Sequence, residues 1–237
     1  MTAQPLVYAL AAAGANVLGA VAVTSRARWS VRALDAVVAL SAGFLISVSL
    51  ASLLPEAIER QGGRAAVTAL VGYLLVHLTQ HTLVQHFHFG EETHEVSETV
   101  GFTALAGLLL HTFFDGVAIA SGFGVSPRVG GLVFIAILLH KLPEGLAISS
   151  LFLAAGAGRR QALGASALLG TATVAGVLLT DQVALLREYG LALSAGVTLY
   201  VGASNLVPEF QGKHGWQLQL SFFAGCALFF LARAVVS

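Results

Sequence analysis

The sequence predicts an all-α membrane protein, a polytopic helical bundle of about eight transmembrane helices. Three observations carry that prediction. Of 237 residues, 57% are hydrophobic and only 10% charged, too little charge to cover a water-soluble domain of this length. Mean hydropathy is +0.83. Apolar runs of roughly 20 residues, each long enough to span the hydrocarbon core, recur along the whole chain. A single transmembrane domain over residues 1–237 follows. The zero net charge and the absence of a basic patch argue against nucleic acid as a partner. The single Cys226 excludes an intrachain disulfide. No Lys or Arg precedes Arg26, so the first apolar run lacks the n-region of a cleaved signal peptide and is expected to be a retained helix.

Taken in order, the expected helices cover 6–23, 33–58, 65–84, 101–122, 129–154, 162–180, 191–207 and 216–236. Arg26, Arg28 and Arg32 close the first, and Arg60-Gln-Gly-Gly-Arg64 separates the second from the third. Ser126-Pro127 breaks the chain between the fourth and fifth, where Pro starts a helix more readily than it continues one. Arg159-Arg160 marks the next loop. Leu54-Pro55-Glu56 near the end of the second helix returns as Val207-Pro208-Glu209 near the end of the seventh. With eight helices those two segments cross in opposite directions, the mark of an inverted-repeat transporter.

The chemistry concentrates in the fourth and fifth helices. Each carries a histidine and a carboxylate four residues apart, His111 with Asp115 and His140 with Glu144, each carboxylate followed by glycine, Gly116 or Gly145. Spacing of four puts both side chains on one helical face, one turn apart. Ionisable groups at membrane depth face a bundle interior or a water path and pair there. Interhelical hydrogen bonding alone is the plainer reading, but two matched pairs of mixed nitrogen and oxygen donors suit a divalent metal, zinc first, then Fe2+ or Mn2+. Pro143 withdraws a backbone donor and disturbs the Leu139 carbonyl, so a local opening of the fifth helix is expected beside His140.

At these residues the chain resembles the ZIP (Zrt/Irt-like) metal transporters, which carry His-Asn-x-x-Asp/Glu-Gly and His-x-x-Pro-Glu-Gly patterns in the fourth and fifth helices. His111, Asp115, Gly116, His140, Pro143, Glu144 and Gly145 match. The resemblance implies a 3+2+3 inverted-repeat arrangement and transport of a divalent cation toward the cytoplasm. The cargo is expected to be Zn2+, with Fe2+, Mn2+ or Cd2+ as alternatives, and no cofactor. Many ZIP proteins have a second adjacent metal position. Its places here hold Thr112, Lys141 and, by approximate alignment, Gly170, so these replacements imply a single-metal site.

Neutral imidazole and ionised carboxylate bind metal, so protons should compete with the cargo. No Gly-x-x-x-x-Gly-Lys-Ser/Thr loop is present to couple ATP. The rival from another class is an intramembrane zinc-dependent hydrolase, with His111, His140 and a carboxylate holding a metal that activates water. The connection after the third helix holds His77, His81, His86, His88 and His94 among glutamates. It reads equally as an accessory metal-gathering segment or as a solvated polar loop, and the family tips the balance to metal handling. Glu56 and Glu209 read as pathway carboxylates or as interfacial charges, and the second reading is favoured because charge near the interface is cheap. The expected partners are the ion and the bilayer of a plasma or inner membrane, and a homodimer is compatible with such a bundle.

Loops after odd-numbered helices hold Arg26, Arg28, Arg32, Arg159, Arg160 and Lys213, against Arg60, Arg64, Arg128, Arg187 and Arg233 on the other side. This slim excess places both termini outside and the histidine-rich segment in the cytoplasm. On intact cells, a cysteine at Thr2 should label with an impermeant thiol reagent while one at Ser97 stays protected. Equal labelling from outside would contradict the topology.

Overall fold

The computed structural model describes residues 3–25, 31–83, 98–213 and 215–235. The described chain forms helices α1 (Ala3–Thr24), α2 (Val31–Val48), α3 (Leu54–Gln61), α4 (Arg64–Leu83), α5 (Glu98–Val125), α6 (Pro127–Ala154), α7 (Arg159–Thr180), α8 (Ala184–Tyr200), α9 (Val207–Gln211) and α10 (Trp216–Val235). A π-helical turn at Ser49–Leu53 joins α2 to α3, and another at Val201–Leu206 joins α8 to α9. These joined segments run as continuous apolar spans, Arg32–Gln61 and Ala184–Gln211. Eight rods result among the described residues.

Seven of the eight are long and apolar enough to cross a membrane. The remaining one, α4, has the length of ~30 Å that a span needs, but His77, Gln80 and His81 in its last turns lower its hydropathy. The seventh rod begins earlier than the apolar pattern suggests, at Ala184 rather than Leu191. Arg187, Glu188 and Gly190 read as a loop, yet they form the polar first turns of α8. Both Pro55 and Pro208 sit in the first turn after a π-helical turn. There a missing N–H leaves no partner unsatisfied, so the helix continues past each proline.

Pro143 likewise fails to open its helix, contrary to expectation, and α6 stays α-helical from Pro127 to Ala154. The reason is a neighbour's side chain. Ser41 on α2 donates its hydroxyl to the Leu139 carbonyl at 3.0 Å, shared with Val37 O at 2.7 Å. That supplies the donor which Pro143 withdrew, as membrane proteins require of any broken backbone pair.

Packing follows an approximate two-fold exchange. The α1–α6 pairing has its counterpart in α5–α7, the α2–α10 pairing in α4–α8, and the α2–α6 pairing in α5–α8. Lipid is as apolar as leucine, so close backbone approach rather than burial drives these crossings. Glycine makes them possible. A Cβ on Gly116 would lie 1.9 Å from Thr173 O, on Gly176 2.0 Å from Phe113 O, on Gly145 1.9 Å from Asn16 O and on Gly19 2.3 Å from Leu142 O. The glycine after each site carboxylate is thus a crossing point, Gly116 onto α7 and Gly145 onto α1.

The same logic holds away from the site. At Gly225 a Cβ would come within 2.0 Å of Leu40 O, whereas nothing lies within 4 Å of one on Gly14. Gly225→Val is expected to lower the melting temperature in detergent by forcing α10 off α2, at a cost of about 1–3 kcal/mol. Gly14→Ala should leave it unchanged or raise it. Equal melting curves for the two variants would count against glycine-mediated packing.

Candidate metal centre

α5 and α6 present one imidazole–carboxylate pair each to a shared space. His111, Thr112, Asp115, His140, Lys141 and Glu144 are all buried, Thr112 and Lys141 completely. One ligand atom from each of His111, Asp115, His140 and Glu144 can be chosen so that all four lie within 4.8 Å of one another. His111 Nε2 is 3.4 Å from Glu144 Oε2, and His140 Nε2 is 3.3 Å from Asp115 Oδ2 and 3.9 Å from Glu144 Oε2. A tetrahedron with metal–ligand bonds of ~2.0–2.1 Å has edges of about 3.3–3.4 Å. Two of the separations already have that length.

The histidines are held differently. His140 Nδ1 donates to the Ala136 carbonyl at 3.0 Å, which places its proton there and leaves the Nε2 lone pair toward the carboxylates. His111 Nδ1 is buried with no hydrogen-bond partner.

Lys141 does not reach out to water. Its Nζ lies 2.8 Å from Asp115 Oδ2 and 2.8 Å from Glu144 Oε2, and it donates to Thr112 Oγ1 at 3.3 Å. The ammonium therefore bridges both carboxylates of the cluster. Two buried anions without a cation would be prohibitively costly at this depth, and Lys141 supplies one covalently. Gly170, on α7, faces helix one: a Cβ there would lie 3.0 Å from Ala13 Cβ. No longer side chain fits at that position without moving α1.

Two contributors lie outside the α5–α6 pattern. Asn16 on α1 is fully buried and donates Nδ2 to Glu144 Oε1 at 3.0 Å, beside Thr112 Oγ1, also at 3.0 Å. Ser166 on α7 donates to Asn16 Oδ1 at 2.7 Å and to Asn16 O at 2.9 Å. A lone asparagine inside the Ala-Gly-Ala-Asn16-Val run was the available signal, because an amide at membrane depth needs a partner. Its partner is 128 residues away in sequence and could not be named from the run alone.

The other polar candidates separate from this cluster. His77 stacks on His81 with ring centroids 4.1 Å apart and meets Tyr200 edge-on, while His81 Nδ1 donates to His77 O. Neither belongs to the four-residue group. His86, His88 and His94 lie outside the described residues. Glu56 pairs with Arg60 at 3.1 Å, an interfacial charge pair. Glu209 instead lines the cavity that leads to the cluster, the position of the less favoured pathway reading. Ser49 ties the first π-helical turn to Ala195 O at 2.7 Å and so joins two helices.

The cluster stands at the blind end of that cavity, which holds about 480 Å³ and is lined by His111, His140, Glu144, Asn205 and Glu209, with Asp35 and Lys213 paired toward its mouth. Beyond the cluster the other way, Ala118, Ile119, Leu132, Val133, Ala136 and Ile137 pack into a buried apolar plug.

Comparison with known proteins agrees with this arrangement. No curated protein gives a significant match to the chain. The family model described as ZIP zinc transporter matches residues 79–233, more than half of the 237 residues and all of α5 and α6. The chain belongs to the ZIP zinc transporter family, a multi-pass membrane protein that transports metal ions.

Proposed function

We propose that the protein carries zinc toward the cytoplasm through His111, Asp115, His140 and Glu144, one ion at a time. The observation that carries this reading is the set of four ligand atoms within 4.8 Å at the closed end of a one-sided cavity. Two imidazoles with two carboxylates match the donor preference of zinc and of its borderline neighbours. Exchangeable coordination suits cargo that must leave again.

The inward direction is supported by which end is open. The cavity mouth lies beside Val23, Asp35 and Lys213, at the face where the loops after odd-numbered helices emerge. The loop-charge bias assigns that face to the cytoplasm. The apolar plug closes the opposite route, and a separate cavity of about 600 Å³ on that side, lined by Arg60, Arg64, Asp181 and Arg187, includes none of the four ligands. An ion in the site is therefore poised for release inward.

The single-ion reading rests on Lys141 and on the packing at Gly170. A protonated amine has no lone pair to give a metal, and its Nζ occupies the space beside both carboxylates. At an effective dielectric of ~20 its charge repels a second dication a few ångströms away by roughly several kcal/mol. Asp115 Oδ2 and Glu144 Oε2 each keep a lone pair beyond the one turned to the ammonium, so one dication can bind between these oxygens and the imidazoles.

Replacing His111, His140 or Glu144 with alanine is expected to abolish zinc uptake into proteoliposomes while leaving a folded protein. The loss should exceed the ~10–100-fold that outer-shell partners typically contribute. Undiminished uptake by Glu144→Ala would rule this site out as the path.

Protein soaked in excess cadmium is expected to show one ion between α5 and α6 by anomalous scattering. Two ions bridged by Glu144 in the unmutated protein would end the single-ion reading.

A further inference from the structure

The two oxygens of Glu144 live in different surroundings. Oε1 accepts from two neutral donors on two different helices, Asn16 Nδ2 at 3.0 Å and Thr112 Oγ1 at 3.0 Å. Oε2 faces the charged and ligating groups, Lys141 Nζ at 2.8 Å, His111 Nε2 at 3.4 Å and His140 Nε2 at 3.9 Å. The asparagine is itself fixed. Its Oδ1 takes the Ser166 hydroxyl, which turns Nδ2 toward the carboxylate. Its backbone is pressed against the residue following Glu144, since a Cβ on Gly145 would meet Asn16 O at 1.9 Å. Asn16 and Ser166 are fully buried, so the bonds between them are made away from water.

From this we propose that Asn16, oriented by Ser166 and acting with Thr112, is a specificity-determining positioning group that restricts Glu144 to one ligating oxygen. The inference rests on the four-residue cluster being the transport site. A carboxylate with Oε1 engaged offers only Oε2, and two imidazoles, Asp115 and that one oxygen make a four-donor set. Zinc takes four ligands readily. Manganese and the larger hard cations seek six or more, and a two-oxygen carboxylate is one way they get them. Holding Oε1 away thus selects against cations that need the extra oxygen. It also keeps the grip on zinc loose enough to release, because the second oxygen cannot close around the ion. Thr112, which stands where many relatives have a second-metal ligand, serves here as one of the two donors.

The test uses the full chain in proteoliposomes, with zinc and manganese uptake measured separately and KM and Vmax read for each. The variants are Asn16→Ala, the near-isosteric Thr112→Val and the pair together. The zinc-over-manganese ratio of Vmax/KM is expected to fall about tenfold or more in the double variant, the scale on which ligand-orienting partners act, and part of the way in each single one. Equal losses for both metals, leaving the ratio unchanged, would overturn the proposal and reduce Asn16 to a packing role. Should Asn16→Ala fail to fold, Thr112→Val decides alone, since it removes a hydroxyl without changing shape. His140→Ala separates the two levels. If it leaves uptake intact, the site reading falls and the positioning role with it. If it abolishes uptake while the other variants keep the wild-type ratio, only the positioning role falls.

Discussion

Two carboxylates placed at membrane depth impose a demand that shapes the centre of this bundle. Lipid cannot solvate them there and both are almost wholly buried, so most of their lone pairs must find donors inside the protein. Asp115 and Glu144 share the Lys141 ammonium, both within 2.8 Å. Glu144 draws two further bonds, from Thr112 and from Asn16, and Asn16 in turn is held by Ser166. Helices α1, α5, α6 and α7 are thereby tied to one carboxyl group. A buried ionic network is poor evidence of stability in itself. Its value, on the function proposed above, is that it keeps charged groups at a place where a transported cation can meet them.

The network works only because the helices come close enough for short side chains to reach. Asparagine, serine and threonine cannot bridge an ordinary side-chain-to-side-chain crossing. Gly145 brings α6 against α1 and Gly116 brings α5 against α7, backbone to backbone. Gly145 and the Asn16 bond to Glu144 are therefore parts of one device. Enlarging Gly145 would separate α6 from α1 and strand the Asn16 donor.

Prolines and π-helical turns do related work farther out. Pro55 and Pro208 follow the two π-helical turns, at positions exchanged by the approximate two-fold relation among the helices. The second turn, Val201–Leu206, contributes Asn205 to the cavity and precedes Glu209 at its wall. The first contributes to neither cavity described above, and its Ser49 donates its hydroxyl to Ala195 O. Related segments of the two halves thus carry the same backbone irregularity and different duties, one packing and one lining the route from the site.

Much of this protein was legible in its sequence. Composition and recurring apolar runs gave the helical membrane bundle, because the hydrocarbon core requires each span to be long, apolar and internally hydrogen-bonded. The i, i+4 spacing of His111 with Asp115 and of His140 with Glu144 gave the candidate site, because helical periodicity alone puts each pair on one face. What the chain could not declare was everything that depends on a second helix far away in sequence. Whether Lys141 reaches water or turns inward, which donor rescues the Leu139 carbonyl freed by Pro143, and which amide holds Glu144 were all decided by tertiary packing. The reason is geometric. Periodicity fixes the direction a side chain takes from its own helix, but the partner it meets is set by crossings at Gly19, Gly116, Gly145 and Gly176, and those exist only once the helices are assembled.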